Sequence, residues 1–295
     1  MKNLMLSIFI MSISLFLYST TTLMAANKIQ AKPEIHGHRG SRGTHPENTL
    51  VAFQEALQSG ADWLELDLVL TQENIPVVSH DPSVSMDLCL DSQKKLPSKL
   101  LPIKTLSLKE LKTFDCGSIP NPKFKEQVAF PGQKIPTLEE VLIWASKSPH
   151  QKIKLNIETK MTAPKPNLEP SPQKFVAAIV RLLKKYNQIG NSVLQSFDFR
   201  TLREAKKMEP KLKLSALFEK PDSICKTSKE LGTYMASPNF SLVTTVLIQE
   251  CHSMGIQVHP WTLNTESEWV LALRFGVDGI ITDYPRKLKA FLASQ

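Results

Sequence analysis

From residue 33 to residue 295 the chain repeats one unit, a short apolar strand followed by an amphipathic helix. That rhythm is the strongest constraint on its fold, because strand–helix–strand units bury parallel strands beneath layers of helices. Residues 33–39 read as the first strand, with Gly40 and Gly43 loosening the turn, and residues 48–57 as a helix closed by Gly60. Strands follow at 63–70 and 76–80. Thr137-Leu-Glu-Glu140 is a capping box that opens a helix to about Lys147. In the strand at 151–160, period two puts Ile153, Leu155 and Ile157 on one face and Lys154, Asn156, Glu158 and Lys160 on the other. A Ser171-Pro172 helix start, a strand at 193–197, a helix from Asp198 and a strand at 212–218 come next. A helix at about 242–254, a strand at 257–263, a helix opened by Thr265 and Glu268, a strand at 278–283 and a terminal helix complete the series.

Eight strands, mostly separated by helices, predict an α/β fold, a distorted (β/α)8 TIM barrel. One link departs from the pattern. The segment between Asp67 and Val77 is too short for a crossover helix, so either that unit lacks its helix or the two strands form a hairpin. Residues 82–135 break the rhythm with recurrent prolines and weak helical periodicity outside 106–114, and read as a small insertion after the third strand.

Residues 1–26 begin with Lys2, continue almost without charge from Leu4 to Tyr18, and end in small residues at Ala25 and Ala26. That is the order of a secretory signal peptide, which leaves residues 27–295 as one barrel domain in the periplasm or outside the cell. The alternative, an uncleaved anchor, is disfavoured because the apolar run is shorter than a membrane span. No Cys follows the run, which argues against a lipid-anchored form. In an oxidising compartment the four cysteines can form disulfides, and Cys89 with Cys116 share one loop-rich region. The net charge of +8 favours anionic partners in general. There is no basic stripe interleaved with aromatics, so no nucleic-acid partner is expected. No stable membrane span is expected in the mature chain either.

In such a barrel the chemistry gathers where the strands end at their carboxyl side. Those ends here read His38-Arg39, Glu65-Leu-Asp67, His80-Asp81, Glu158-Thr-Lys160, Trp261 and Asp283. A purely structural barrel would place aliphatic side chains there. Taken singly, His38 or His80 reads equally as a hydrogen-bonded core histidine, Lys160 as a solvated strand end, and Trp261 as core. Taken together, Glu65, Asp67 and Glu158 suit one hard divalent cation such as Ca²⁺ or Mg²⁺. Arg39 and Lys160 suit an anionic ester, and His38 with His80 can divide the general-base and general-acid roles. The set fits phosphoester cleavage.

The chain resembles the glycerophosphodiester phosphodiesterases. The resemblance rests on His38-Arg-Gly-Ser-Arg-Gly-Thr-His-Pro-Glu-Asn-Thr49, Glu65-Leu-Asp67, Pro76-Val-Val-Ser-His-Asp81, Asn156-Ile-Glu-Thr-Lys160, Gln195-Ser-Phe197, Trp261-Thr-Leu-Asn264 and Gly276-Val-Asp-Gly-Ile-Ile-Thr-Asp-Tyr-Pro285, in family order. It implies metal-dependent hydrolysis of glycerophosphodiesters to sn-glycerol 3-phosphate and an alcohol. By the same resemblance Glu65, Asp67 and Glu158 would bind one Ca²⁺ or Mg²⁺, and His38 and His80 would be the acid/base pair. Arg39 and Lys160 would contact phosphate, Phe197 and Trp261 would pack on the glycerol, and Glu47 would support the helix start or reach the metal indirectly. Family mechanisms run through attack by the glycerol 2-hydroxyl, a cyclic phosphate and then water. Two rival functions share the fold: a phospholipase D-like enzyme acting on lysophospholipids, which would need an exposed apolar rim, and a non-catalytic surface binding protein, which would not need this set of titratable groups.

Overall fold

The computed structural model describes residues 32–147, 153–161 and 170–295, which belong to one compact unit, Lys32–Gln295. The expected leader, residues 1–26, lies outside the described residues. The elements in order are β1 (Glu34–Gly37), α1 (Leu50–Gln58), β2 (Trp63–Leu70), β3 (Pro76–Val78), α2 (Leu108–Leu111), α3 (Leu138–Lys147), β4 (Lys154–Thr159), α4 (Pro172–Lys185), β5 (Ser192–Ser196), α5 (Phe199–Met208), β6 (Lys213–Phe218), α6 (Ile224–Leu231), β7 (Met235–Pro238), α7 (Thr245–Ser253), β8 (Gln257–Val258), α8 (Glu266–Phe275), β9 (Gly279–Thr282) and α9 (Pro285–Ala293).

Eight parallel strands run in the order β8-β7-β6-β5-β4-β2-β1-β9. Backbone bonds from Asp278 N–H to Val258 O (3.0 Å) and from Ile281 N–H to Pro260 O (3.0 Å) bring the β8 and β9 segments together, so the ring is nearly closed. This is a TIM barrel. Of the two alternatives open for the second unit, the hairpin is the one found: β3 pairs antiparallel with β2, Leu68 opposite Val78, and so is not one of the barrel staves it was counted among. One stave differs from the sequence reading. The eighth stave is β7, Met235-Ala-Ser-Pro238, which has no β-branched residue to announce it and is held by its ladder to β6.

Local chemistry places the helices as read. Thr49 caps α1, Ser171 caps α4 with Pro172 in the first turn, and Thr265 with Glu268 forms a reciprocal capping box on α8. Alternation sorts the strands: Ile35, Leu64, Leu66, Leu155, Ile157, Leu194, Leu214 and Ile280 face outward into the core shared with the helices. The opposite parity lines the barrel interior. Residues between β3 and α3 form a separate small core around Val84, Ile103, Leu111 and Phe114, packed against Val69 and Val77. A Cys89–Cys116 disulfide lies within that segment, and a second disulfide, Cys225–Cys251, joins α6 to α7.

Leu155 is fully buried on the outward face of β4. Leu155→Ala is expected to lower stability by about 2–5 kcal/mol in equilibrium urea unfolding, as for other buried leucines; a loss of under about 1 kcal/mol would contradict the packing assigned to this face.

Candidate active site

Three carboxylates meet at one mouth of the barrel. Period two on β2 turns Glu65 and Asp67 inward, and the β2–β4 ladder makes Glu158 the register partner of Asp67. All three side chains are buried, and an oxygen from each lies within 4.8 Å of the others. Such crowding requires compensating charge. Arg39 supplies part of it from the turn after β1, where its backbone is left-handed (φ 50°) and Gly40 follows at φ 85°. A side chain at Gly40 would collide with Ala52, so the tight turn needs glycine there. Folded this way, the Arg39 N–H donates to Glu65 Oε2 (2.8 Å). Its guanidinium donates to Glu47 Oε1 (2.7 Å) and lies 3.2 Å from Asp67 Oδ2. Lys160, just past β4, sits 2.7 Å from Glu158 and 3.2 Å from Asp67. Asn48 Nδ2 donates to Asp67 Oδ2 (2.9 Å), and Gln195 Nε2 donates to Glu65 Oε1 (3.0 Å).

These environments drive the three acids apart. Burial, then the charges of Asp67 and Glu158, raises Glu65 well above the ordinary carboxylate range. Burial, with Asp67 adding to it and Lys160 opposing, pushes Glu158 up to about 7. Burial acts upward on Asp67 too, but Lys160 and Arg39 outweigh it and hold that carboxyl well below the usual range. Burial likewise works against charge on Arg39 and Lys160, yet the neighbouring carboxylates raise both.

The donor set at the mouth matches a divalent cation in its chemistry. It consists of oxygens alone, which suits a hard ion. Asp67 Oδ1 is buried and makes no well-aligned hydrogen bond, the Lys160 ammonium lying 3.2 Å away, and three carboxylates face two cations here. The residues fit such a group.

A cavity of about 320 Å³ opens over this cluster, lined by Glu65, Glu158, Arg39, Lys160, His38, His80, Phe197 and Trp261 among others. The sequence-predicted site residues therefore converge, except that Asp67 is buried out of the lining. His38 Nδ1 bonds Asp283 Oδ1 at 2.6 Å, and His80 Nδ1 bonds Asp81 Oδ1 at 2.8 Å. Burial lowers the His38 pKa, with Asp283 partly restoring it. The buried Asp283 carboxyl is itself held low: burial acts upward, and the His38 charge outweighs it. Phe197, 42 % exposed, meets Trp261 edge-on at 5.6 Å between ring centres, and Trp261 Nε1 donates to Ser237 O (2.8 Å).

Four further lining or supporting residues were not singled out by sequence. Asp283 stood at a strand end without a role, and Gln195 lay inside the Gln195-Ser-Phe motif. Arg42 lies on the cavity wall with its guanidinium on Glu47 (2.8 Å) and over the Phe124 ring. Glu219 also lines the cavity; extending the inward parity of Ser215 and Leu217 past the end of β6 would have found it.

Fold and site together define a TIM-barrel hydrolase of phosphate diesters. The glycerophosphoryl diester phosphodiesterase family model matches residues 38–287, and the chain belongs to that family. It is 31% identical to a glycerophosphodiester phosphodiesterase of Caldanaerobacter subterraneus, over 87% of this chain and 96% of that one. Its fold superposes on a Silicibacter pomeroyi crystal structure with a TM-score of 0.84 (28% identity, 89% of this chain, 93% of that one). It also matches an Oleispira antarctica phosphodiesterase solved with the product sn-glycerol-3-phosphate (TM-score 0.73, 27% identity, 88% of this chain, 97% of that one).

A carboxyl with a raised native pKa holds its proton more tightly folded than unfolded. The stability it contributes is therefore complete below its ordinary 4.5 and is lost as pH rises through about 7. Chelator-treated protein is expected to lose urea resistance between about pH 5 and pH 8, and Glu158→Gln to flatten that loss. The variant should be the more stable protein at pH 8; equal or lower stability there would contradict the crowding.

Proposed function

We propose that this chain hydrolyses glycerophosphodiesters, releasing sn-glycerol 3-phosphate and an alcohol, with one Ca²⁺ or Mg²⁺ held by Glu65, Asp67 and Glu158. The convergence of those three carboxylates with two carboxylate-held imidazoles in one cavity carries the reading. When bound, the cation polarises phosphoryl oxygens. The chain's own residues do the rest. Arg39 and Lys160 keep Asp67 ionised and turn positive charge toward the ester. Asp283 and Asp81 each hold the Nδ1 side of an imidazole, which leaves Nε2 of His38 and of His80 without a partner among the described residues. One Nε2 takes the proton of the attacking hydroxyl, and the other gives a proton to the departing alcohol oxygen. The roles reverse when water opens a cyclic phosphate. Phe197 and Trp261 form the apolar wall for the glycerol carbons. The disulfides support the periplasmic or secreted location that the leader implies. No helix among the described residues is long and apolar enough to cross a membrane.

The test is to strip the protein of metal and assay glycerophosphocholine and glycerophosphoethanolamine for released sn-glycerol 3-phosphate. Activity is expected to vanish and to return with Ca²⁺ or Mg²⁺. Revival by neither ion, or turnover confined to lysophospholipids, would overturn the reading. His38→Ala is expected to lower kcat by about a hundredfold or more, and Asp283→Asn to lower kcat with a smaller change in KM. An unchanged rate in His38→Ala would remove the acid/base role.

A further inference from the structure

Beneath the catalytic mouth the barrel interior is polar where most such barrels are filled by branched aliphatics. His36, Asn156, Gln195 and His259 are all buried there, at no more than 1% exposure. They are not scattered: each bonds the next. Gln195 Nε2 donates to Glu65 Oε1 (3.0 Å), and Asn156 Nδ2 donates to Gln195 Oε1 (3.1 Å). The same Asn156 Nδ2 lies 3.4 Å from His36 Nδ1. His36 Nε2 meets His259 Nδ1 at 2.9 Å, and His259 Nε2 meets Gln257 Oε1 at 3.2 Å.

The donor directions along this column are fixed from its ends. With the cation bound, Glu65 is a carboxylate and accepts only, so Gln195 must turn its NH₂ to Glu65 and its oxygen to Asn156. Asn156 must then present its NH₂, and the second hydrogen of that group finds His36 Nδ1 as an acceptor. His36 therefore carries its proton on Nε2 and donates to His259 Nδ1, and His259 donates from Nε2 to Gln257. Both rings are neutral in this pattern. Burial agrees with that, taking His36 well below the ordinary histidine pKa and His259 to about 4. The column is also sterically fitted, since a side chain at Gly279 would collide with the His259 ring. At the floor, Glu34 is already matched by Lys154 (2.6 Å) and by the Trp63 indole N–H (2.8 Å), and that ammonium disfavours a second cation beside the histidines.

We infer that Asn156, locked by the His36–His259 pair, is a positioning residue for the metal site, acting on Glu65 through the Gln195 amide. The inference rests on the cation site proposed above. If the Gln195 amide turned over, it would aim oxygen at a carboxylate and rotate Glu65 away from its neighbours. Partners one step behind metal ligands fix ligand orientation in this way.

Titration calorimetry of Ca²⁺ and Mg²⁺ onto metal-stripped full-length protein tests this, with Asn156→Leu, Gln195→Met and the double variant compared while circular dichroism shows each folded. Asn156→Leu keeps the size of the side chain and removes its donors. It is expected to weaken cation binding about tenfold or more, Gln195→Met to do the same, and the double variant to be no weaker than Gln195→Met. A folded Asn156→Leu with unchanged affinity, or effects that add fully in the double variant, would overturn the positioning role alone. Failure of the unaltered chain to bind either ion would overturn the cation site, and this inference with it. Should Asn156→Leu not fold, ¹⁵N spectra of the unaltered protein decide: protons on Nε2 of both His36 and His259 support the column, and a proton on Nδ1 of His36 overturns it.

Discussion

Three carboxylates withdrawn from water into one small volume repel one another, and the architecture of the barrel mouth answers that repulsion. Two like charges a few ångströms apart in a poorly screened place are unfavourable by several kcal/mol. Here the repulsion is met by two cations whose backbones are shaped for it. Arg39 adopts a left-handed conformation to bring both its amide and its guanidinium onto the acids, and Lys160 leaves β4 between Glu158 and Asp67. The compensation is unequal. Asp67 remains ionised while Glu65 and Glu158 hold protons more tightly than ordinary carboxyls. A divalent cation would remove the remaining imbalance, which ties the acids' odd titration to the chemistry proposed for them.

Closure of the barrel turns this charge cluster into a site. His38 and its partner Asp283 stand 245 residues apart in sequence, and they touch because β9 pairs with β1. Glu158 reaches Asp67 because β4 pairs with β2, with the hairpin strand β3 set aside from the ring. His80 enters from the segment after that hairpin, beside a second, smaller cavity whose wall includes Cys89 and Cys116. The irregular second unit thus brings an imidazole to the mouth that a regular crossover helix would have carried away.

Much of this was legible in the sequence, for physical reasons. Inward parity is a local property of a strand, so Lys154, Asn156 and Glu158 could be assigned to one face, and so could Glu65 and Asp67. Capping boxes at Thr137 and Thr265 are equally local. What escaped was set by partners far along the chain. Met235-Ala-Ser-Pro238 has little strand propensity and becomes a stave by pairing with β6. For Pro76-Val-Val78 the sequence left a barrel strand and a hairpin both open, and pairing with β2 decides for the hairpin. The Cys225–Cys251 link depends on α6 lying beside α7, which no spacing rule reveals. Arg39 was read from its charge as a ligand for phosphate; the structure shows its guanidinium on Glu47 and Asp67, also lining the cavity.

The chemistry proposed at the barrel mouth requires one ion shared by Glu65, Asp67 and Glu158. Crystals of the protein grown with Ca²⁺ measure this most directly, through an anomalous difference map. The predicted result is a single strong peak at the barrel mouth, within about 2.3–2.6 Å of an oxygen from each of the three carboxylates. A map with no peak there, or with its peak on other residues, would contradict it.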